Sequence, residues 1–244
     1  MNIKSESRAD ASAIDVTSGR ILVWDVPVRL FHWLLAFSFF GAYLTSESER
    51  WQLVHVTLGY TVAGLVAFRL LWGLVGTRHA RFANFVRGPK AAVRYLVALL
   101  RRRPEHHIGH NPAGALAIVA LLGLSLLVVV SGWATYNDLA GEWLEEVHEA
   151  TASLMLAIVG IHIAAVFLSS WIHRENLVGA MISGRKSGRA EQGIRRAWRS
   201  VAAVMLVAVL GFWWWQWQNA PVGGALDAQP EVSARAHSHH DDHD

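Results

Sequence analysis

His148 and His162 are fourteen residues apart, the second inside and the first just before a run, 150–173, that contains no Asp, Glu, Lys or Arg. On a helix rising about 1.5 Å per residue, that spacing covers about 21 Å, most of a hydrocarbon core of about 30 Å. At about 100° per residue, fourteen steps return to within about 40° of the starting direction, so both imidazoles leave the same face. Imidazole is a common metal ligand. Two of them on one face of one membrane helix, one near each leaflet, suit two metal centres stacked across a bilayer. One helix supplies one ligand to each centre, so two further histidines are required, on other spans and at matching depths.

His32 and His55 meet that requirement. His32 lies in VRLFHWLLAFSFF (28–40), near the start of the first apolar run, and His55 in WQLVHVTLGYTVAGLVAF (51–68), near the start of the second, which enters from the opposite side. The third run, NPAGALAIVALLGLSLLVVVSGW (111–133), has no histidine. Depth therefore pairs His32 with His162 and His55 with His148. His32 or His55 taken alone reads equally well as an interfacial histidine bonded to a backbone carbonyl. Four matched in depth and face point to function, because ionisable side chains in hydrocarbon are costly. Two imidazoles without carboxylate or thiolate are too few for a closed zinc site of four ligands. They do complete the coordination of haem iron, for which the porphyrin supplies the other four nitrogens. Iron saturated in this way has no open position for a substrate and passes single electrons.

The elements that must hold these ligands are legible in the charge pattern. Runs free of Asp, Glu, Lys and Arg cover 30–46, 51–68, 111–137, 150–173 and 200–226, each close to or beyond the length of a span. They predict five transmembrane helices in one all-α integral membrane bundle, the fifth at the C-terminal end. The chain is 53% hydrophobic, which leaves no room for a sizeable soluble domain. The expected organisation is a disordered leader over 1–19, the histidine-bearing helical domain over 20–186, a basic linker and fifth helix over 187–219, and a His-rich disordered tail over 220–244. The polar leader shows no small-residue cleavage site, so the first run reads as a retained span. Absence of cysteine excludes disulfides, thiolate-bound iron–sulfur clusters and covalent haem attachment.

A pI near 9.6 raises the question of nucleic acid. The basic residues are instead sorted by side: four Lys and Arg in 1–29, eight in 78–103 and seven in 174–199, against Arg50 alone in 47–50, none in 138–149 and Arg235 alone in the tail. The positive-inside rule then makes the N-terminus and the basic loops cytoplasmic and puts the C-terminus on the other side of the membrane. The segment 78–103 reads as an amphipathic helix on the anionic inner surface, with no nucleic-acid role.

Other residues admit two readings. Arg69, fourteen residues after His55, comes by the same arithmetic to the depth of the inner histidine pair. It is either a cation for a haem propionate or an arginine snorkelling to the interface. Gly59 and Gly160 either leave room for a flat porphyrin or let helices pack closely, and close packing is the favoured reading. His79, His106, His107, His110 and His173 read as loop or capping residues. FWWWQWQN (212–219) is an aromatic belt, and AHSHHDDHD (236–244) a solvated tail able to bind a divalent ion.

The motifs VWDVPVRLFHW (23–33), LVHVTLG (53–59), RLLWGLVGTRHARFANFVRGP (69–89), GHNPAGA (109–115), the His148/His162 pair and HRENLVGAMISG (173–184) occur in that order. Together they resemble the bacterial cytochrome b-561 family, which includes the b-type cytochrome subunit of nickel–iron hydrogenases. The resemblance implies a four-helix core with two b haems, whose axial ligands carry over to His32, His55, His148 and His162. The fifth run and the His-rich end depart from the family pattern. The expected function is di-haem electron transfer across the bilayer between the quinone pool and a periplasmic partner, either a hydrogenase or a c-type cytochrome. The competing expectation is a metal-handling membrane protein that uses the same histidines and the tail for divalent ions.

Overall fold

The computed structural model describes residues 19–101, 108–139 and 141–220. The leader up to residue 18, His106, His107 and the tail from residue 221 onward lie outside the described residues. The fold is helical, and five of its helices are long and apolar enough to cross a membrane.

The helices begin and end where local chemistry dictates. Helix α1 (Val26–Thr45) starts at Asp25, whose Oδ1 accepts the Val28 N–H at 2.8 Å, with Pro27 in the first turn, where a missing N–H is harmless. After a single 3₁₀ turn (Glu49–Trp51), α2 (Gln52–Val75) returns across the bilayer and stops at Gly76. Two short helices follow on the basic side, α3 (Phe82–Phe85) and α4 (Pro89–Leu100). The amphipathic helix expected over 78–103 is thus broken into pieces. Gly88 takes a φ of +80° and Pro89 offers no N–H to a preceding turn, so the chain restarts there. Helix α5 (Pro112–Tyr136) is capped by Asn111, whose Oδ1 accepts the Gly114 N–H at 2.7 Å.

Helix α6 (Glu142–His173) carries His148 and His162 on one continuous element of 32 residues. It starts two turns earlier than the charge-free run, because its acidic residues sit in the first turns, where the helix dipole favours them. Helix α7 (Leu177–Ser183) and helix α8 (Arg199–Gln218) complete the chain, with a 3₁₀ turn at Ala190–Gln192 between them.

Helix α1 packs along α2 and α5 along α6; α2 and α5 join the two pairs, and α8 lies on α1 and α2. Helix α6 packs on α5 and α7 and does not pack along α1 or α2. Phe31, Leu65, Leu122 and Met205 form a buried cluster to which α1, α2, α5 and α8 each contribute one side chain, so α8 is part of the bundle.

One element has no counterpart in the sequence reading. Strands β1 (Gly19–Leu22) and β2 (Arg185–Gly188) pair antiparallel, Gly19 opposite Gly188 and Leu22 opposite Arg185. Ile21 packs with Val23, Trp24 and Ala180, and the Val26 N–H reaches the Ala197 carbonyl at 2.9 Å. The ribbon ties the start of α1 to the end of α7 and the approach to α8.

Candidate haem-binding histidines

His55 and His148 face each other at the end of the bundle where α2 and α6 begin. Their ring centroids are 6.1 Å apart and the ring planes are nearly perpendicular, at 80°. Each Nδ1–H donates to a backbone carbonyl of the helix packed alongside: His55 to Ala42 of α1 at 2.8 Å, and His148 to Val128 of α5 at 3.0 Å. Ser131 Oγ lies a further 3.3 Å from His148 Nδ1. A proton held on Nδ1 leaves the lone pair on Nε2, the tautomer a metal requires. Gly132 makes room for the His148 ring: a Cβ there would stand 2.6 Å from Cε1 and 2.9 Å from Nδ1.

At the other end, His32 of α1 lies close enough to His162 of α6 for the charge of one to act on the other. His32 Nδ1 is buried and has no hydrogen-bond partner among the described residues. His55 and His148 therefore face each other from α2 and α6, helices that do not otherwise pack along one another. A Cβ placed on Gly59 or Gly160 would meet nothing within 4 Å, so neither residue serves close helix packing, and the favoured sequence reading of both is corrected.

Charge gathers around the His32 end. Asp25 is almost fully buried, and its Oδ2 accepts from Thr77 Oγ1 at 2.6 Å and from Trp72 Nε1 at 3.2 Å. Arg69 does not snorkel. It is 3% exposed, its guanidinium lies over the Phe82 ring at 4.7 Å, and its Nη1 is buried with no hydrogen-bond partner among the described residues. A buried cation with an unused donor suits a carboxylate such as a haem propionate.

Of the loop histidines, His79 donates from Nε2 to the Gln192 carbonyl at 2.9 Å, and His173 Nε2 lies 3.3 Å from Tyr95 Oη, both in keeping with their loop or capping reading. His110 departs from it. Its ring sits between Trp24 and Phe85, 4.5 Å from each, with Nδ1 buried. Desolvation, followed by the nearby Arg69, pushes its pKa down to about 3, so it is neutral. The sequence offered no period or spacing that marked His110, Gly132 or the two accepting carbonyls.

Fold and side chains together define a class, a multi-pass membrane protein whose opposed histidines link separate helices of one bundle. Within that class the chain belongs to the prokaryotic cytochrome b561 family, which it matches over residues 23–184. Membership makes it a b-type cytochrome, a haem-b protein of electron transport. Similar proteins include the "Probable Ni/Fe-hydrogenase B-type cytochrome subunit" of Rhizobium leguminosarum bv. viciae, 26% identical over 236 residues that cover 76% of this chain and 97% of that one. The subunit of the same name from Rhodobacter capsulatus is 26% identical over 235 residues, covering 75% and 89%. The "Probable Ni/Fe-hydrogenase 1 B-type cytochrome subunit" of Escherichia coli (strain K12) is 26% identical over 142 residues, covering 48% and 60%. No solved structure matches the chain. The family match ends before β2 and α8.

Proposed function

We propose that the protein carries electrons across the membrane on two b haems, one held by His32 and His162 and the other by His55 and His148. The observation that carries this reading is the opposition of His148 on α6 to His55 on α2. At the His55–His148 end, a metal about 2.0 Å from each Nε2 would set the two ring centroids about 6 Å apart, and the observed separation is 6.1 Å. When bound, haem supplies reversible one-electron chemistry at iron. The four histidines would leave that iron no open position for a substrate, and at the His55–His148 end the Ala42 and Val128 carbonyls keep the imidazoles in the metal-binding tautomer. Arg69 serves the propionates of the His32–His162 haem.

The remaining assignments follow from charge and kinship. The basic end is cytoplasmic and the end with Asp138, Glu142, Glu145, Glu146 and Glu149 is periplasmic. Quinone exchanges electrons with the carrier inside the membrane, and a periplasmic enzyme of the hydrogenase kind exchanges them at the His55–His148 end. The partner assignment rests on the names of relatives that align with three quarters of the chain.

Counting haem by pyridine haemochrome spectra tests the reading. Two b haems per chain are expected in the native protein. His32→Ala/His162→Ala and His55→Ala/His148→Ala should each keep one, and His32→Ala/His148→Ala none. A native protein that binds divalent ions and no haem would support the metal-handling alternative. If His32→Ala/His148→Ala kept one haem while His32→Ala/His162→Ala kept none, the pairing would be wrong. A periplasm-active reporter fused after residue 244 should be active and one fused after residue 186 inactive; the reverse would exchange the sides of the two haems.

A further inference from the structure

Between the end of α2 and the start of α5, at the basic edge of the membrane, lies a cavity of about 200 Å³ that the proposed electron path does not use. Its walls include Arg78, Arg87, His79, His110, Asn84 and Phe85. No Asp or Glu side chain is among the described residues that line it. Among the described residues Arg78 makes only a long contact, to the Glu191 carbonyl at 3.4 Å, which leaves most of its guanidinium donors uncommitted there. His79 is anchored by its Nε2–H on the Gln192 carbonyl, and Asn84 donates to the Arg78 carbonyl at 2.6 Å, so the walls are braced from behind. His110, held between Trp24 and Phe85, lines the cavity as well.

Two arginines facing a headgroup-sized space free of carboxylates recognise an oxyanion with several acceptor atoms. A cavity at the level of the lipid headgroups on the basic side meets one such group at high local concentration, the phosphodiester of an anionic phospholipid. We propose that this cavity binds the phosphate group of an anionic phospholipid, with Arg78 and Arg87 as its charge partners. Phosphate is the chemistry recognised, and the membrane is its source. The inference is independent of which histidines hold haem.

Native mass spectrometry of the haem-loaded protein, delipidated in maltoside detergent, tests it with dioctanoyl phosphatidylglycerol, dioctanoyl phosphatidylcholine and inorganic phosphate as probes. One phosphatidylglycerol per chain should bind well ahead of phosphatidylcholine. In R78A/R87A its affinity should fall about thirtyfold, from two arginines near a membrane surface. K90A, which does not line the cavity, should bind like the native protein. Should the double variant fail to fold, R87Q changes one exposed side chain and should weaken binding about fivefold. Competition by inorganic phosphate for the same site supports phosphate recognition, and binding of phosphate without lipid would reassign the source to a soluble anion. Equal binding to native and arginine variants, or no adduct with any probe, overturns the proposal. So does lipid binding confined to the haem-free protein, because a haem propionate would then own the cavity.

Discussion

The two histidine pairs are built differently. At the His55–His148 end, each imidazole is held by a carbonyl of the helix with which its own helix pairs, α1 for α2 and α5 for α6. Backbone carbonyls set the tautomer and ring direction of both imidazoles there. At the His32–His162 end, the imidazole of His32 has no hydrogen bond to its Nδ1 among the described residues, and the polar investment lies around it in Arg69 and Asp25. The first pair is preorganised by packing, so on the proposed two-haem arrangement its affinity for a metal rests on shape. The second shares its end of the bundle with a buried cation and a buried carboxylate, so there the redox properties would rest on electrostatics. Changes in shape should then strike the first proposed haem and changes in charge the second.

The largest effect is expected from Gly132→Ala. The new Cβ would stand 2.6 Å from His148 Cε1, and a backbone-mounted methyl cannot rotate away. His148 must swing off the Val128 carbonyl, and its Nε2 leaves the line to His55. The variant should keep one haem per chain by pyridine haemochrome, and that haem should vanish when His32→Ala is added. Retention of two haems would show that the His148 ring is not confined as the packing implies.

Asp25→Ala attacks the other end. It removes the cap of α1, worth about 1 kcal/mol, and leaves Trp72 Nε1 and Thr77 Oγ1 without an acceptor, at about 1–3 kcal/mol each where buried. A loss of about 3 kcal/mol or more should lower the thermal midpoint in detergent, followed by haem absorbance and tryptophan fluorescence together. Asp25→Asn keeps one acceptor oxygen and should fall between. If Asp25→Ala melted like the native protein, the Asp25 hub would not hold the α1–α2 end together.

The contrast also marks what could be read from the sequence. Five spans and the four histidines follow from spacing and charge, because hydrocarbon imposes one rule on every residue within it. The β1–β2 ribbon was hidden: GRIL and RKSG have no alternating pattern, and their partners lie some 165 residues apart, so only the folded bundle brings them together. The break before α4 was written in Gly88-Pro89 but masked by the basic and apolar periodicity on either side. The start of α6 at Glu142 was obscured by its acidic first turns, which look like a loop to a count of charges. His110 carries no sequence signal for burial, since its neighbours Trp24 and Phe85 come from distant segments. Periodicity reports which face a residue occupies, and it is silent on which distant element covers that face.

Arg69→Met should move a potential and leave haem content near two. A buried guanidinium stabilises the reduced iron relative to the oxidised iron, so its removal lowers the potential of the nearer haem. A unit charge about 10 Å away in an effective dielectric of about 20 is worth about 1.7 kcal/mol, or roughly 70 mV for one electron. In a spectroelectrochemical titration, the component absent from His32→Ala/His162→Ala should shift down and the other should stay. Equal shifts of both components would mean that Arg69 acts on the bundle as a whole and not on one centre.

Ser131→Ala should give the smallest change, and its smallness is the sharpest check on how the first pair is built. The Ser131 hydroxyl donates its own proton to the Leu127 carbonyl at 2.7 Å and stands 3.3 Å from His148 Nδ1, while the Val128 carbonyl already accepts that N–H at 3.0 Å. Removing the hydroxyl deletes the weaker of two acceptors, and the stronger belongs to the backbone, beyond the reach of a side-chain substitution. Haem content should stay at two. An acceptor on Nδ1–H adds electron density to the ligand, so its partial loss should raise the potential of the His55–His148 haem slightly, by less than the Arg69 shift and in the opposite direction. Loss of that haem in Ser131→Ala would mean that the hydroxyl, and not the Val128 carbonyl, orients His148, and the distinction between a centre set by the backbone and one set by charge would fall.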